Sequence, residues 1–205
     1  RRHCRTIEAR SLRIAVAAGS ANVASNTWTY YSFNPQVLGF PSGNWMDFPN
    51  LTVGATHLYI TANVFTTSND AFSGSVILRI PLASLAAGGN ITYSYYTTPS
   101  LDSWRCTEGA GTTMYCGTHT SGNVVRILRW DDGSGTVNWD DVQLGGFTYL
   151  SAGSATSPDG TNWAGRADSR ILGAYVANGV VGFMFGAGND ATYAYPYTIV
   201  ARFDQ

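Results

Sequence analysis

The densest group of charged residues in this chain is Arg166, Asp168 and Arg170, which alternate along a short segment. On a β-strand, alternate residues point to the same face of a sheet, so the three side chains would lie together. Two guanidinium groups can hold a carboxylate, sulfate or phosphate, and Asp168 could orient them or act as an acid or base. The alternative is a structural Arg–Asp–Arg bridge that fixes one part of the fold to the next.

Two further residues are candidates for proton transfer. Glu108 lies in the Gly-rich segment 104–111, which predicts a projecting turn, and Glu8 near the N-terminus is the only other glutamate. Glu108 is therefore a candidate general acid or base, or else a solvated loop carboxylate. His119 follows an apolar strand and could act as a base near Asp168 or Glu108, or be a hydrogen-bonded structural histidine. The candidate catalytic residues are Glu108, Asp168 and His119.

Four residues are candidates for holding a substrate: Arg166, Arg170, Trp104 and Asn63. Aromatic rings offer flat faces on which sugar rings can stack, although most are expected to pack in the core. The aromatic residues considered for stacking are Tyr93, Tyr95, Tyr96, Trp104, Tyr193, Tyr195 and Tyr197.

No cofactor is predicted, because the chain lacks zinc-ligand spacings and the common hydrolase motifs. Four aspartates around the Gly133–Gly135 turn could bind Ca²⁺ through their oxygens, or could close turns with their own side chains. They are Asp131, Asp132, Asp140 and Asp141.

Composition excludes several classes of protein. All 12 basic residues are arginine, which excludes Schiff-base, P-loop and Ser/Lys mechanisms that require lysine. The net charge of −1 argues against nucleic acid or an anionic membrane as the partner. The 23 glycines, 12 tyrosines and low charged fraction of 12% indicate an all-β protein.

The three cysteines bear on the compartment. Cys106 and Cys116 could form a local disulfide in an exported protein, or remain two buried thiols, while Cys4 stands apart. Five arginines in the first 14 residues precede a short apolar run, a weak form of a secretion signal; processing or truncation is an equal explanation. We expect residues 1–10 to be a flexible basic tail and 11–205 a β-propeller domain or part of one, in a secreted or periplasmic bacterial protein.

The chain contains an internal repeat, in which two aliphatic or small residues precede an arginine and a large apolar residue. The clearest copies are Val76–Pro81, Arg126–Asp131 and Ile199–Asp204, with a weaker copy at Ser11–Ile14. Each clear copy follows a strand-like segment, and two precede an aromatic strand reached through a Gly-rich turn.

A period of roughly 45 to 65 residues with four strands per period predicts the blades of a β-propeller. A sandwich or jelly roll is the alternative. The chain would begin in the third and fourth strands of one blade, pass through two whole blades and stop after the third strand of another. About four whole or partial blades are therefore expected, in a homodimer whose sheets are completed by a second chain or in part of a larger propeller.

Several segments resemble known propellers. Ser157–Trp163 is similar to the Asp box of sialidase-type propellers, with one residue missing between Asp159 and the glycine, and Trp130–Trp139 is a looser copy. Segments 162–171 and 176–185 resemble bacterial secreted propeller proteins of largely unassigned function, as does 45–49. The resemblance covers about residues 28 to 205 and implies that Asp159 and Trp163 belong to the scaffold.

These observations predict a carbohydrate-active β-propeller. It would be a glycan hydrolase or lyase acting on an acidic sugar. Arg166 and Arg170 would bind the acidic group, and Glu108 and Asp168 would be the proton-transfer pair. The alternatives are a non-catalytic propeller that binds a glycan or a protein, and a truncated fragment of a larger propeller.

Overall fold

A computed structural model describes residues 11–150, 157–162 and 168–205. The predicted tail 1–10, and with it Cys4, lies outside the described residues, as do Trp163 and Arg166. The chain divides into two compact units, the first formed by residues up to 51 together with 56–102, and the second by 52–55 together with 103–205.

The first unit contains two antiparallel sheets, one with strand order β1–β2 and one with order β3–β4–β5–β6. Its elements are β1 (Leu12–Val16), α1 (Ser20–Ala24), β2 (Thr29–Phe33), a 3₁₀ turn (Pro35–Leu38), β3 (Asn44–Val53), β4 (His57–Thr66), β5 (Phe72–Pro81), α2 (Leu82–Ala87) and β6 (Ser94–Thr98).

The second unit contains a four-stranded sheet in the order β7–β8–β9–β10 and a three-stranded sheet in the order β11–β12–β13. Its strands are β7 (Arg105–Cys106), β8 (Thr113–Ser121), β9 (Val124–Asp131), β10 (Val137–Gln143), β11 (Ile171–Ala177), β12 (Val180–Ala187) and β13 (Tyr197–Asp204).

The all-β prediction is confirmed, and so is the internal repeat. The three clear copies lie in β5, β9 and β13, each of which pairs with the strand before it. The register repeats as well: Arg79 pairs with Tyr59 on one side and Ser94 on the other, and Arg129 pairs with Tyr115 and Asn138. Each sheet thus joins strands that are consecutive in sequence, because short turns favour antiparallel neighbours.

The core of the first unit is built from cross-strand pairs of β4 and β5. Leu58 pairs with Ile80 and Ile60 with Leu78, and all four side chains are at most 6% exposed. Burying each such side chain contributes about 1.5–3 kcal/mol, so this hairpin is a main source of stability.

The core of the second unit lies between its two sheets. Val125 and Ile127 of β9 cluster with Val181, Phe183 and other buried residues of the β11–β13 sheet. Gly117 on β8 makes this packing possible, since a Cβ there would lie 2.7 Å from a ring carbon of Phe183.

A disulfide joins Cys106 to Cys116, which are paired residues of β7 and β8. Of the two alternatives that the sequence left open, the structure has the bridge. It ties the two-residue strand β7 to the rest of its sheet.

Across the part of the chain that the structure describes, we find no helix long and apolar enough to cross a membrane.

Candidate functional site

One end of the β11–β13 sheet gathers several segments of the second unit. Ile171 at the start of β11 pairs with Phe185 near the end of β12, and Ala187 pairs with Tyr197 at the start of β13. The residues before β11 and the loop between β12 and β13 therefore lie at the same end. Tyr149 joins this end through a bridge to Ala187. We call it the tyrosine end, formed by residues 147–150, 168–170 and 188–196.

Tyrosine side chains dominate this end. Tyr195 is 80% exposed, Tyr193 52% and Tyr149 44%. Exposed aromatic surface of this kind, concentrated at one place, is typical of a binding surface.

Asp190 fixes the loop that carries Tyr193 and Tyr195. Its carboxylate accepts hydrogen bonds from the backbone N–H groups of Thr192 and Tyr193, each at 2.8 Å, and from the Tyr197 hydroxyl, also at 2.8 Å. The bonds from Tyr193 and Tyr197 favour the ionised carboxylate and lower the pKa of Asp190. The rings of Tyr193 and Tyr197 pack 4.3 Å apart. The loop thus presents its tyrosines in a fixed arrangement.

His119 lies beside the tyrosine end, enclosed by aromatic rings. Its ring centre is 4.7 Å from that of Phe185, 5.7 Å from that of Tyr149 and 6.1 Å from that of Phe147. Both ring nitrogens are buried, and neither has a hydrogen-bond partner of normal geometry among the described residues. Burial lowers the pKa of His119, and the nearby backbone of Ser169 opposes this only in part.

Burial therefore favours the neutral imidazole. A general base must reach the proton that it removes, and the enclosure of both ring nitrogens favours the structural interpretation of His119 over the catalytic one. Both interpretations stay predictions.

Asp168 and Arg170 also lie at the tyrosine end, but not on a strand. The prediction that they alternate along a strand is wrong for these two residues, because β11 begins only at Ile171. The Asp168 carboxylate accepts a hydrogen bond from the backbone N–H of Arg170 at 2.9 Å and so closes a tight turn. Aspartate side chains commonly bond to the backbone two residues further on in this way. The Arg170 guanidinium folds back onto the same carboxylate at 2.7 Å.

Glu108 occupies a different place. Its backbone N–H donates to the Ala174 carbonyl at 3.0 Å and its carbonyl accepts from the Val176 N–H at 2.7 Å, so it bridges to Tyr175 in the middle of β11. Strand geometry puts Tyr175 about 13 Å from Ile171, and Asp168 precedes Ile171 by three further residues. Paired glycosidase carboxylates are roughly 5 to 10 Å apart. Glu108 thus lies beside the middle of β11 and Asp168 before its start, and their action as a pair stays a prediction.

Neither of the two other described binding candidates offers a face to a ligand. Trp104 is 1% exposed, and Asn63, on β4 of the first unit, is 6% exposed. Both side chains are therefore buried in the packed interior. Arg166 lies outside the described residues.

Three of the four aspartates considered for calcium, Asp131, Asp140 and Asp141, point to different partners. Asp131 accepts from the backbone and hydroxyl of Ser134 and so closes its turn, as the alternative interpretation predicted. Asp140 pairs with Arg129 at 2.6 Å and Asp141 with Arg126 at 2.7 Å. In residues 11–150, 157–162 and 168–205, no group of three or more His, Cys, Asp or Glu side chains is arranged to hold a metal. Calcium binding stays a prediction.

Sequence reasoning missed Tyr149 and Asp190. Tyr149 belongs to no sequence motif. It reaches this end only through its bridge to Ala187 of β12, which forms when the chain folds. Asp190 could have been found, because an aspartate two and three residues before Thr192 and Tyr193 is a typical turn-closing signal.

No protein-family model, curated protein or solved structure matches this chain.

Proposed function

We propose that this chain is a carbohydrate-binding module built from the blades of a β-propeller. The fold part of the proposal is supported by four sheets of two, four, four and three consecutive antiparallel strands. The same strand order and the repeated register of Arg79 and Arg129 agree with blade repeats. Residues 157–161 add support, because Asp159 accepts from Ser157 and Thr161 in a tight turn like that of an Asp box.

The single observation that carries the binding function is the fixed group of exposed tyrosines at the tyrosine end. A sugar ring stacks its C–H face on an aromatic ring, and rings already held in place lose little entropy on binding. Asp190 holds the loop through three hydrogen bonds and Tyr193 packs on Tyr197, so Tyr193 is preorganised, while Tyr195 on the same loop is 80% exposed and open to a ligand.

Binding fits this site better than hydrolysis or elimination. His119 faces a packed interior, and Glu108 lies along β11 from Asp168. A glycan hydrolase or lyase acting on an acidic sugar is the second candidate, supported by the Arg170 side chain at the same end, which is 37% exposed. The Asp168 carboxylate already neutralises that guanidinium, which weakens its attraction for an acidic sugar.

Two further proposals concern location and assembly. The Cys106–Cys116 disulfide supports export to an oxidising compartment, because disulfides are rare in reducing cytosol. The two- and three-stranded sheets offer edges for self-association, in keeping with the predicted homodimer.

The test of the proposed function is binding to an array of neutral and uronate-containing oligosaccharides. Wild-type protein should bind a subset of them, and Tyr195→Ala should weaken that binding about tenfold, which corresponds to about 1.4 kcal/mol. Trp139→Ala is the matched control, since Trp139 is a 50% exposed aromatic residue on β10 and does not belong to the residues that form the tyrosine end. Equal binding by wild type and Tyr195→Ala would refute the assignment of the site.

Turnover of an oligosaccharide distinguishes the second candidate, an enzyme, from a binding module. The same oligosaccharides are incubated with wild type, Glu108→Gln and Asp168→Asn, and new reducing ends or unsaturated products are measured. A binding module releases neither. Release by wild type that both variants lose would replace the binding function with an enzyme.

A further inference from the structure

Strand β13 has one edge that none of the described strands covers. It pairs with β12 along all 8 of its residues and stands last in its sheet. The equivalent strands β5 and β9 each lie between two neighbours, β4 and β6 in one sheet and β8 and β10 in the other. An edge strand presents a row of unpaired backbone N–H and C=O groups, which is a template for a further strand. We call it the β13 edge.

The strands that pair with the repeated arginines show what such a further strand carries. Among the described strands, the residue opposite the arginine is serine or asparagine, and the next residue is aromatic. The residues opposite Arg13, Arg79 and Arg129, each with its successor, are Ser32-Phe33, Ser94-Tyr95 and Asn138-Trp139. The aromatic residue lies opposite the leucine that precedes each arginine. The same side-chain pattern therefore accompanies strand addition at three places in the chain.

The β13 edge offers the same two positions. Arg202 is the arginine of this copy, and Ala201 stands where the other copies have leucine. The short side chain of Ala201 leaves more room for an aromatic ring beside it than leucine does. A strand with serine or asparagine opposite Arg202 and an aromatic residue opposite Ala201 would thus repeat the pattern.

Charge adds a third feature. On β10 the residue after the aromatic one is Asp140, and its carboxylate pairs with Arg129 of β9 at 2.6 Å. Arg202 holds the equivalent position on β13, where it is exposed and makes no ion pair with a described residue. Opposite charges on neighbouring strands stabilise their pairing. An incoming strand with an acidic residue after the aromatic one would therefore complement Arg202.

We infer that the β13 edge binds an extended segment of another polypeptide by β-strand addition. The segment runs antiparallel to β13 and carries serine or asparagine opposite Arg202, an aromatic residue opposite Ala201 and then an acidic residue. Backbone hydrogen bonds supply the affinity in this mode of recognition, and the side chains supply the selectivity. The inference does not depend on the proposed function, since its ligand is a polypeptide and β13 lies outside the tyrosine end.

A second copy of this chain is the other source of such a segment. Its strands with the pattern are β2, β6 and β10, and each is already paired along its whole length with β1, β5 or β9. Presenting one of them to β13 would require breaking a formed sheet, so a separate polypeptide is favoured. The predicted homodimer can form at the two-stranded β1–β2 sheet instead.

The test uses a fluorescent peptide that copies residues 136–143, which include β10. It carries Asp141→Thr, because Asp141 faces Arg126 on β9, whereas the equivalent residue of β13 is Ile199. Anisotropy titration with the full chain should show saturable binding, and a peptide of the same residues in scrambled order should bind about tenfold more weakly. Trp139→Ala in the peptide should weaken binding about fivefold, since it removes a cross-strand aromatic contact.

Exchange of charges tests the register. Arg202→Glu should weaken binding of the peptide several-fold, and a peptide that also carries Asp140→Lys should bind Arg202→Glu more tightly than it binds wild type. Arg202 is exposed, so its replacement leaves the core intact. Arg13→Glu is the matched control, because this exposed arginine holds the equivalent place on β1, which β2 already covers. Absence of the preference for opposite charges would overturn the inference.

Hydrogen exchange locates the bound peptide. The peptide should slow exchange of backbone amides in residues 197–204 and leave β9 unchanged, because both edges of β9 are already paired. Binding without protection of 197–204 would overturn the inference, as would absence of binding. Light scattering on the same mixtures tests the second copy, since a dimer that the peptide dissociates as it binds would assign the β13 edge to self-association instead.

Discussion

At the scale of single residues, His119 shows how burial sets a protonation state. Its ring is surrounded by Phe147, Tyr149 and Phe185, and among the described residues neither nitrogen has a hydrogen-bond partner of normal geometry. The charged imidazolium would be poorly solvated there, so the folded protein favours the neutral ring and the pKa falls below 6.5. The consequence is a dependence of stability on pH.

Stability should fall on acidification through the range below about pH 6.5, the pKa of histidine in the unfolded chain. Above this pH His119 is neutral in both states, and below it the unfolded chain takes up a proton that the folded chain resists. In His119→Phe, which keeps an aromatic ring in the aromatic surroundings, the loss should be smaller. Urea denaturation at a series of pH values measures the free energy of unfolding.

The carboxylates with a lowered pKa, such as Asp190, affect stability in a separate, lower pH range. Their stabilising contribution is present above about pH 3.8 and is lost only as the pH falls below that value.

An identical loss of unfolding free energy between pH 7 and pH 5 in wild type and His119→Phe would contradict the assignment of this pH dependence to His119.

At the scale of the elements, the two sheets of the second unit pack closely because β8 carries a glycine at the contact. Gly117 lies on a buried strand, opposite Ile127 of β9, and the Phe183 ring of β12 fills the space where a side chain would be. The sheet of β7–β10 and the sheet of β11–β13 therefore interlock at one small residue.

Gly117→Ala should destabilise the protein by about 1–3 kcal/mol, because the added methyl group forces Phe183 or a strand to move. Gly111→Ala is the matched control, since a Cβ there meets nothing within 4 Å and needs no unusual backbone angle. The difference between the two variants in thermal and urea unfolding gives the cost. Equal stability of both variants would mean that the two sheets do not pack as described.

At the scale of the whole molecule, the sheets are unequal. Those of β3–β6 and β7–β10 have four strands, whereas those of β1–β2 and β11–β13 have two and three. Exposed strand edges favour pairing with another chain, unless they are covered.

We therefore expect the protein to self-associate in solution. Light scattering coupled to size exclusion should give a mass of about twice the 22.0 kDa of one chain. A mass of one chain at all concentrations would rule out the homodimer, and would leave the proposed binding at the tyrosine end unaffected, since that end lies within the second unit.

Much of the fold could be predicted from the sequence. The residues around Arg79, Arg129 and Arg202 mark strands in their correct places, because alternation of apolar residues and Gly-rich turns act locally. Less of the candidate site could be predicted. Asp168 and Arg170 lie at the tyrosine end, whereas Trp104 and Asn63 are buried and Glu108 lies along β11.

The all-β character, the repeated strands and the pair of cysteines close enough to bridge can be read from the amino-acid sequence, since each depends on neighbours along the chain. Which aromatic rings are exposed is set only when the chain folds. Trp104 and Tyr195 look alike as candidates for stacking in the sequence, but one is 1% and the other 80% exposed. The reason is that exposure depends on which sheet packs over a residue, and that is set by contacts between segments far apart in the chain.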